Sequence, residues 1–223
     1  MDARNFYVYK CVVDDGGAPC VDRDTLTLTI CKPYIRSTAE PGDLIFAFGS
    51  NKEIPANRLV YIAEVKQQLR NGTYFELNEF KDRQDCIYER TAMGRLEHRA
   101  DAKFHSHPEA RISDLGEERQ YPKANALVAD NFRYFGKIGT ANWKSTSPDL
   151  RELVENLGQG HRVNFSPQLL DELLQLKTLV WTQYPDQRVL GTPLHAPNKS
   201  PETDDDEAVK VCATGCRYIP KRC

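Results

Sequence analysis

Two apolar runs separated by a polar segment dominate the hydrophobic pattern in the first third of the chain. The runs, Leu44–Phe48 and 59–65, are rich in β-branched and aromatic residues and are bounded by Gly, Pro or Asn. Their length and composition predict two β-strands. Residues 49–58 between them contain Gly, Asn and Pro, which predicts a loop that joins neighbouring strands. Because both runs are almost continuously apolar, we expect both faces of each strand to be buried, as in a small closed barrel.

Shorter patterns elsewhere predict further strands and one short helix. Apolar runs at 6–13 and Ala126–Ala129 have the length of strands. In residues 25–30, Leu and Ile alternate with Thr, which is the pattern of a strand with one buried face. Pro33 suits the first turn of a helix, so we expect a short helix over residues 34–39.

The C-terminal half of the chain carries the start and stop signals of two helices. Ser-Pro pairs at 147–148 and 166–167 place an N-cap serine before a proline at the first helical position. Gly158 and Pro185 end the two segments. Leucines at helical spacing in the second segment indicate a stripe that faces the core. The whole pattern predicts an α+β fold, with a mixed small β-barrel, short flanking helices and a C-terminal helical pair.

The polar, weakly periodic residues 90–118 predict either a functional lid or disorder, because loops of that length are uncommon in a compact domain. Within them, the sequence His-Ser-His-Pro at 105–108 resembles the zinc motif of JAMM metallopeptidases, in which a Ser and then an Asp follow. Here Ser113 and Asp114 are adjacent and too close to the second histidine, and no apolar strand precedes the motif. We therefore expect a polar surface loop with no metal and no catalytic histidine.

Beyond Pro185 the composition changes to repeated prolines and an acidic run at 204–207. This change predicts a mobile linker, and it divides the chain into a folded domain at 1–185 and a flexible, acidic tail at 186–223. The tail contains three cysteines, Cys212, Cys216 and Cys223. They lack a nearby fourth ligand, which argues against a zinc site. We expect no metal and no cofactor.

Composition limits the classes of function. The chain has 223 residues, of which 40% are hydrophobic and 28% charged, and its formal net charge is -2. This balance excludes a basic field over the whole molecule, so any nucleic-acid surface must be a local patch. No apolar run approaches the roughly 18 residues of a membrane span, so we expect no membrane partner. The N-terminus lacks the pattern of a signal peptide, so we expect a soluble, cytoplasmic protein with reduced cysteines.

The strand–loop–strand region has a recognisable order of residues. Gly42 and Asp43 are followed by an apolar strand, a small residue and Ser50, then by a loop and a strand that ends at 62–65 as Ile-Ala-Glu-Val. This order is similar to that of the PUA-like superfamily, which includes the EVE and YTH modules. The resemblance implies a small β-barrel that reads nucleic acid and takes a modified base into a pocket.

A larger set of segments carries a second and closer likeness. The segments are 31–36 (CKPYIR), 42–50, 59–61, 131–136 and 158–165. Together they resemble the nucleotide-modification-associated domain of the second type, a bacterial and phage family, over roughly residues 6–183. The likeness departs at 84–88, where Gln-Asp-Cys-Ile-Tyr stands in place of Gly-Asp-Asn-Ile-Tyr. The resemblance implies an association with systems that make or handle modified DNA bases, and DNA-modifying enzymes as partners.

Candidate binding residues lie at the ends of predicted elements. The loop before the last helix presents an imidazole, a cation and an amide, those of His161, Arg162 and Asn164, beside glycines that allow close approach. The alternative is a helix–helix turn whose Asn164 and Ser166 cap the last helix. Lys32 and Arg36 lie at the start of the short helix, where an anion can bind. The alternative there is a solvated surface turn.

Aromatic residues supply the second kind of candidate. Stacking of one base on an aromatic ring contributes roughly 1–3 kcal/mol, but most rings of a small domain must be core. Tyr134, Phe135 and Trp143 border turns, so we expect them to face a pocket. We expect the complete site where the Lys32 turn, the strand end at Ser50 and the last loop converge.

Three functions are compatible with these residues. The first is a binding module that recognises a modified base or nucleotide, in a DNA-modification or phage-defence context. The second is an enzyme acting on nucleotides or DNA bases, with His161 as acid or base beside Arg162. No paired carboxylates and no nucleophile beside a base are visible in the sequence to support it. The third is a protein-interaction scaffold.

Overall fold

The computed structural model describes residues 4–117 and 120–195, and within them the chain forms several sheets and short helices. The strands are, in chain order, β1 (Phe6–Lys10), β2 (Cys20–Asp22), β3 (Thr25–Leu28), β4 (Leu44–Phe48), β5 (Leu59–Glu64), β6 (Gln67–Leu69), β7 (Tyr88–Arg90), β8 (Leu96–His98), β9 (Ala126–Ala129), β10 (Asn131–Tyr134) and β11 (His161–Arg162). The α-helices are α1 (Pro33–Thr38), α2 (Pro108–Leu115), α3 (Pro148–Asn156) and α4 (Pro167–Gln183). Short 3-10 turns occupy Thr73–Glu76, Asn78–Phe80, Gly136–Ile138 and Asn142–Ser145.

The strands of the described residues pair into three sheets. A five-stranded sheet has the order β10-β5-β4-β1-β11, a four-stranded sheet has the order β2-β3-β9-β6, and β7 and β8 form a hairpin. In the five-stranded sheet, β1 runs parallel to β4, and the other neighbours are antiparallel. The parallel pair brings the ends of β1 and β4 to the same edge of the sheet, beside the start of β11.

Stacked layers bury both faces of the five-stranded sheet. Along β4, Leu44, Phe46 and Phe48 belong to the apolar cluster shared with α3 and α4. The alternate residues, Ile45 and Ala47, lie in the core between the two large sheets. Successive side chains of such a strand are all buried, which is why its sequence is apolar throughout.

The expected mixed α+β fold is confirmed, but a closed PUA-like barrel is not. The two large sheets formed by residues 4–117 and 120–195 are separate and open, with edge strands on each. A central strand in a layered fold and a strand in a small barrel have the same two-sided burial. The apolar pattern alone therefore could not distinguish the two architectures.

The two C-terminal helices form a packed pair, as the sequence predicts. Ser166 caps α4, because its side chain accepts a hydrogen bond from the Leu169 N–H at 3.3 Å. Ser147 occupies the N-cap position of α3, but its side chain accepts no such bond. Glu172 of α4 takes over that role by accepting from the Leu150 N–H at 2.7 Å. The first helix is therefore capped by its neighbour rather than by its own serine.

Residues 90–117 contain defined elements, so the expectation of disorder is wrong for them. They include β8 and α2, and Leu96, Phe104 and Leu115 are buried in the cluster behind the four-stranded sheet. His105 is only 8% exposed, so the expected polar surface loop is corrected as well. The sequence of this region shows no clear hydrophobic period, because its elements are short and separated by turns.

Residues 188–195 pack against the folded core. The Leu190 N–H donates to the Tyr134 carbonyl at 2.9 Å. His195 and Asp14 exchange two hydrogen bonds, from the His195 N–H to the Asp14 carbonyl at 2.8 Å and from the Asp14 N–H to His195 Nδ1 at 3.0 Å. Residues 188–195 of the predicted tail therefore contact the folded domain. The cysteines of the predicted tail lie outside the described residues.

None of the helices formed by residues 4–117 and 120–195 combines the length and the apolar character that crossing a membrane requires.

Candidate functional site

The turn between β3 and α1 has an unusual backbone. Cys31 (φ 56°) and Lys32 (φ 39°) both adopt the left-handed conformation, which is uncommon for residues other than glycine. The Cys31 N–H donates to Asp114 Oδ1 at 3.2 Å, and the Cys31 carbonyl accepts from Arg36 Nε at 2.6 Å. Pro33 then begins α1. Buried charged side chains, rather than glycines, thus hold the turn that carries Cys31 and Lys32.

Arg36 is a structural residue of this turn. Its side chain is 0% exposed, and besides Cys31 its guanidinium donates to the carbonyls of Lys123, Asn125 and Asp114 at 2.6, 2.6 and 3.2 Å. Backbone acceptors therefore occupy the donor groups that an anion would need. Arg36 is therefore not expected to bind an anion.

Cys31, His105 and Asp114 form a hydrogen-bonded row. The Cys31 Sγ lies 3.5 Å from His105 Nε2, and His105 Nδ1 lies 2.6 Å from Asp114 Oδ2. His105 and Asp114 are buried, whereas Cys31 is partly buried. A thiol, an imidazole and a carboxylate in this order match the arrangement of a nucleophile, a general base and the group that orients the base.

Asp114 is held as a carboxylate in this row. Burial works to raise its pKa, but the charge and hydrogen bond of His105, with contributions from Arg36 and the Cys31 N–H, outweigh it and leave the pKa lowered. Tyr88 donates its hydroxyl to Asp114 Oδ2 at 3.0 Å. Burial and the nearby Asp114 charge raise the pKa of Tyr88, so its hydroxyl keeps its proton. Both carboxylate oxygens are engaged, which fixes the carboxylate relative to the imidazole.

An aromatic pair lies beside the same turn. The rings of Tyr34 and His161 are stacked, with centroids 4.5 Å apart and planes inclined by 26°, and Tyr34 is 46% exposed. Pairing of β11 with β1 places His161 opposite Tyr9. The Lys32 ammonium donates to the Gln159 carbonyl at 2.8 Å. This hydrogen bond connects the turn to the segment before β11.

The surroundings of His161 favour its neutral imidazole. Burial, with repulsion from the Lys32 ammonium, lowers its pKa. Arg162 and Asn164 follow it and are exposed. Among the described residues the Arg162 guanidinium forms no ion pair. The Lys32 turn and the last loop are adjacent, because the Lys32 ammonium bonds the Gln159 carbonyl and the Tyr34 ring stacks on His161.

Ser50 lies farther along the same edge of the five-stranded sheet. It follows β4, and its hydroxyl accepts from the Lys52 N–H at 3.1 Å. An added Cβ at Gly49 would meet the Glu53 carboxylate and the Arg58 guanidinium, so a side chain there would displace this ion pair. By contrast, an added Cβ at Gly158 or Gly160 has no neighbour within 4 Å.

The aromatic residues expected in a pocket are interior. Tyr134, Phe135 and Trp143 are 1, 8 and 4% exposed. Tyr134 donates its hydroxyl to Asp14 Oδ1 at 2.7 Å, and Trp143 Nε1 donates to the Asn57 carbonyl at 3.2 Å. All three side chains therefore belong to the interior of the protein. Turns flank these residues in sequence, but hydrogen bonds direct the side chains of Tyr134 and Trp143 inward, and Phe135 packs in the apolar cluster with α3 and α4.

Comparison with known proteins assigns the chain to a family. The family model described as nucleotide modification associated domain 2 matches residues 3–199. The chain belongs to this family. No curated protein and no solved structure matches it. The family expected from the sequence is confirmed, and its description associates the domain with nucleotide modification.

The Cys31–His105–Asp114 row and the Tyr34–His161 pair both lie inside this nucleotide modification associated domain 2. Sequence reasoning missed the row, because its members are 74 and 9 residues apart. The available signals were a cysteine directly before Lys-Pro and a histidine before a Pro-started helix. No three His, Cys, Asp or Glu side chains in the described part of the chain are arranged to hold a metal ion.

Proposed function

We propose that this domain binds a nucleobase or nucleotide on the stacking surface, defined as Lys32, Tyr34, His161, Arg162 and Asn164. The observation that carries the proposal is the stacked Tyr34–His161 pair with Tyr34 46% exposed. An aromatic ring that is itself stacked on a neighbour is fixed in orientation, and stacking of a base on it contributes roughly 1–3 kcal/mol.

The polar members of the stacking surface suit the rest of a nucleotide. Lys32 and Arg162 supply positive charges for phosphate. The Asn164 amide offers two donors and an acceptor for a base edge. A neutral His161 supports the stack without adding charge. Each of these groups lies on or beside β11 or the turn before α1, so ordered elements position them.

A finer proposal concerns the identity of the base. We propose a modified DNA base, recognised in a bacterial or phage DNA-modification or defence system together with DNA-modifying enzymes. The description of the family supports it. We propose the cytoplasm as the location of this system.

The test is titration of the protein with mononucleotides and short single-stranded oligonucleotides that carry natural or modified bases. Tyr34→Ala should weaken binding by roughly 1–3 kcal/mol, whereas Tyr34→Phe keeps the ring and should bind like wild type. Arg162→Ala should weaken binding by about 1.5–3 kcal/mol, the value of a hydrogen bond to a charged group. Arg95→Ala is the matched control, because Arg95 is an exposed arginine in the β7–β8 hairpin.

Equal affinities of wild type, Tyr34→Ala and Arg162→Ala would remove the stacking surface as the site. Absence of binding to every base tested would leave the scaffold function instead.

An enzyme is the second candidate, and a different observation favours it. The sequence suggested His161 as acid or base. The structure instead offers His105, which lies between a thiol and a carboxylate.

A further inference from the structure

The cysteines of the described residues differ in their surroundings. Cys11, Cys20 and Cys86 are buried, and Cys31 is partly buried. Burial raises the pKa of the Cys20 thiol to about 12 and also raises the pKa of Cys11 and Cys86. Thiols of that kind are unreactive, because the thiolate is the nucleophile. Cys31 differs from them, since an imidazole nitrogen lies 3.5 Å from its sulfur.

The hydrogen bond of Asp114 determines what that imidazole can do. Its Oδ2 lies 2.6 Å from His105 Nδ1, so Nδ1 keeps its proton whenever the imidazole is neutral, and Nε2, the atom next to Cys31 Sγ, is then the nitrogen that accepts a proton. The same carboxylate accepts from the Cys31 N–H at 3.2 Å. One residue therefore fixes both the tautomer of the base and the backbone of the thiol.

The rigidity of the turn adds to this alignment. Cys31 is in the left-handed conformation, and backbone strain of this kind is concentrated at functional sites. Two buried charged side chains, those of Asp114 and Arg36, hold the Cys31 backbone from either side.

We propose that Cys31 is the nucleophile of an acyl-transfer site, with His105 as its general base and Asp114 as the residue that positions the base. The substrate class is an ester or amide of a carboxylic acid. This proposal goes beyond nucleotide binding at the stacking surface and does not depend on it.

The reaction balances without any other reactant than water. The Cys31 Sγ attacks the carbonyl carbon while its proton moves to His105 Nε2. The bond to the leaving alcohol or amine then breaks, and His105 returns the proton to that group, which leaves a thioester on Cys31. Water, deprotonated by His105, attacks the thioester. The carboxylic acid departs, and the thiol receives its proton back.

The first test compares thiol reactivities within one chain. The full-length protein is treated with iodoacetamide between about pH 5 and pH 9, and each cysteine peptide is quantified. Cys31 should react at least about tenfold faster at pH 7 than Cys11, Cys20 and Cys86, because a paired imidazole favours the thiolate. His105→Gln should slow Cys31 by roughly 100-fold at pH 7, the usual contribution of a positioned base, and should move its reaction to higher pH.

The groups that face His105 set this pH profile. Among the described residues they include Asp114 from α2, Arg36 from α1 and Tyr88 from β7, the last two through Asp114. Asp114→Asn should shift the profile in the same direction as His105→Gln, an effect that a merely structural role would not produce. Glu109→Gln is the matched control, since Glu109 is an exposed carboxylate in the first turn of the same helix.

The second test supplies an acyl group. p-Nitrophenyl acetate should give a rapid stoichiometric burst of p-nitrophenol, with the acetyl group on the Cys31 peptide, and Cys31→Ala and His105→Gln should abolish the burst. Unfolding curves establish that each variant is folded. Alkylation of Cys31 no faster than that of the buried thiols, or an unchanged burst in Cys31→Ala, overturns the proposal.

Discussion

At the residue scale, the Asp114 carboxylate connects three segments that are distant in sequence. It accepts from the Cys31 N–H, from His105 Nδ1 and from the Tyr88 hydroxyl. Arg36 lies 3.9 Å from the same carboxylate and bonds the Asp114 carbonyl. On a protein surface, a carboxylate and a guanidinium can bind ligands. Here both groups are buried, and they hold the backbone of the Cys31 turn in place.

Asp114→Asn should therefore destabilise the fold in a pH-dependent way. Removal of one charge from a buried network costs about 3–5 kcal/mol. Because the pKa of Asp114 is lowered in the folded protein, its contribution is complete above the unfolded value of about 3.9 and is lost as the pH falls through the folded pKa. Urea unfolding of wild type and variant between pH 7 and about pH 3 measures the difference.

The loss should be largest at pH 7 and should shrink toward acid pH. Glu109→Gln, on the exposed side of the same helix, should show no such dependence. A loss that stays constant with pH would mean that shape, rather than charge, explains the role of Asp114.

At the scale of elements, the sequence was most informative where a strand is buried on both faces. β4 and β9 begin and end at the residues that their apolar runs predict, and the short helix differs by only one residue at each end. The choice between a barrel and layered sheets was not predictable in this way, because both architectures bury their central strands on two faces. The pattern specifies how a strand is buried but not what covers it.

The Cys31–His105–Asp114 row could not be predicted for a different reason. Its members come from a turn and from a region whose elements are too short for a clear period. Their proximity depends on contacts such as that of Arg36 with the Asp114 carbonyl, which local sequence does not encode. The stacking surface was partly predictable, because Lys32, His161 and Arg162 lie at element ends. Tyr34, which lies within α1, was not predicted as a member of this surface.

The segment at 188–195 provides a prediction about one element. Gly191 allows close contact with the core, since an added Cβ would lie 2.2 Å from the Phe135 carbonyl oxygen. Gly191→Ala should lower the free energy of unfolding by about 1–3 kcal/mol, the usual cost of overpacking, and should speed hydrogen exchange of the Leu190 N–H. Gly158→Ala is the control, because nothing lies within 4 Å of its added Cβ. Equal stabilities of the two variants would show that 188–195 contributes little to the fold.

At the scale of the whole molecule, charge separates two kinds of ligand. The net charge is -2, so the protein as a whole does not attract a polyanion. On the stacking surface, only Lys32 and Arg162 are cationic. A long duplex needs many phosphate contacts, whereas a mononucleotide or one unstacked base with its neighbouring phosphates needs few.

The dependence of binding on salt tests this view of the molecule. For single-stranded ligands, the logarithm of the binding constant falls with the logarithm of the salt concentration with a slope of about -0.7 for each phosphate neutralised. Two cations on the stacking surface predict a slope of about -1.4 for a short oligonucleotide. Arg162→Ala should reduce it to about -0.7, and Arg95→Ala should leave it unchanged. A slope steeper than about -4 would mean that an extended basic track outside the stacking surface binds the nucleic acid, and that recognition does not rest on one stacked base.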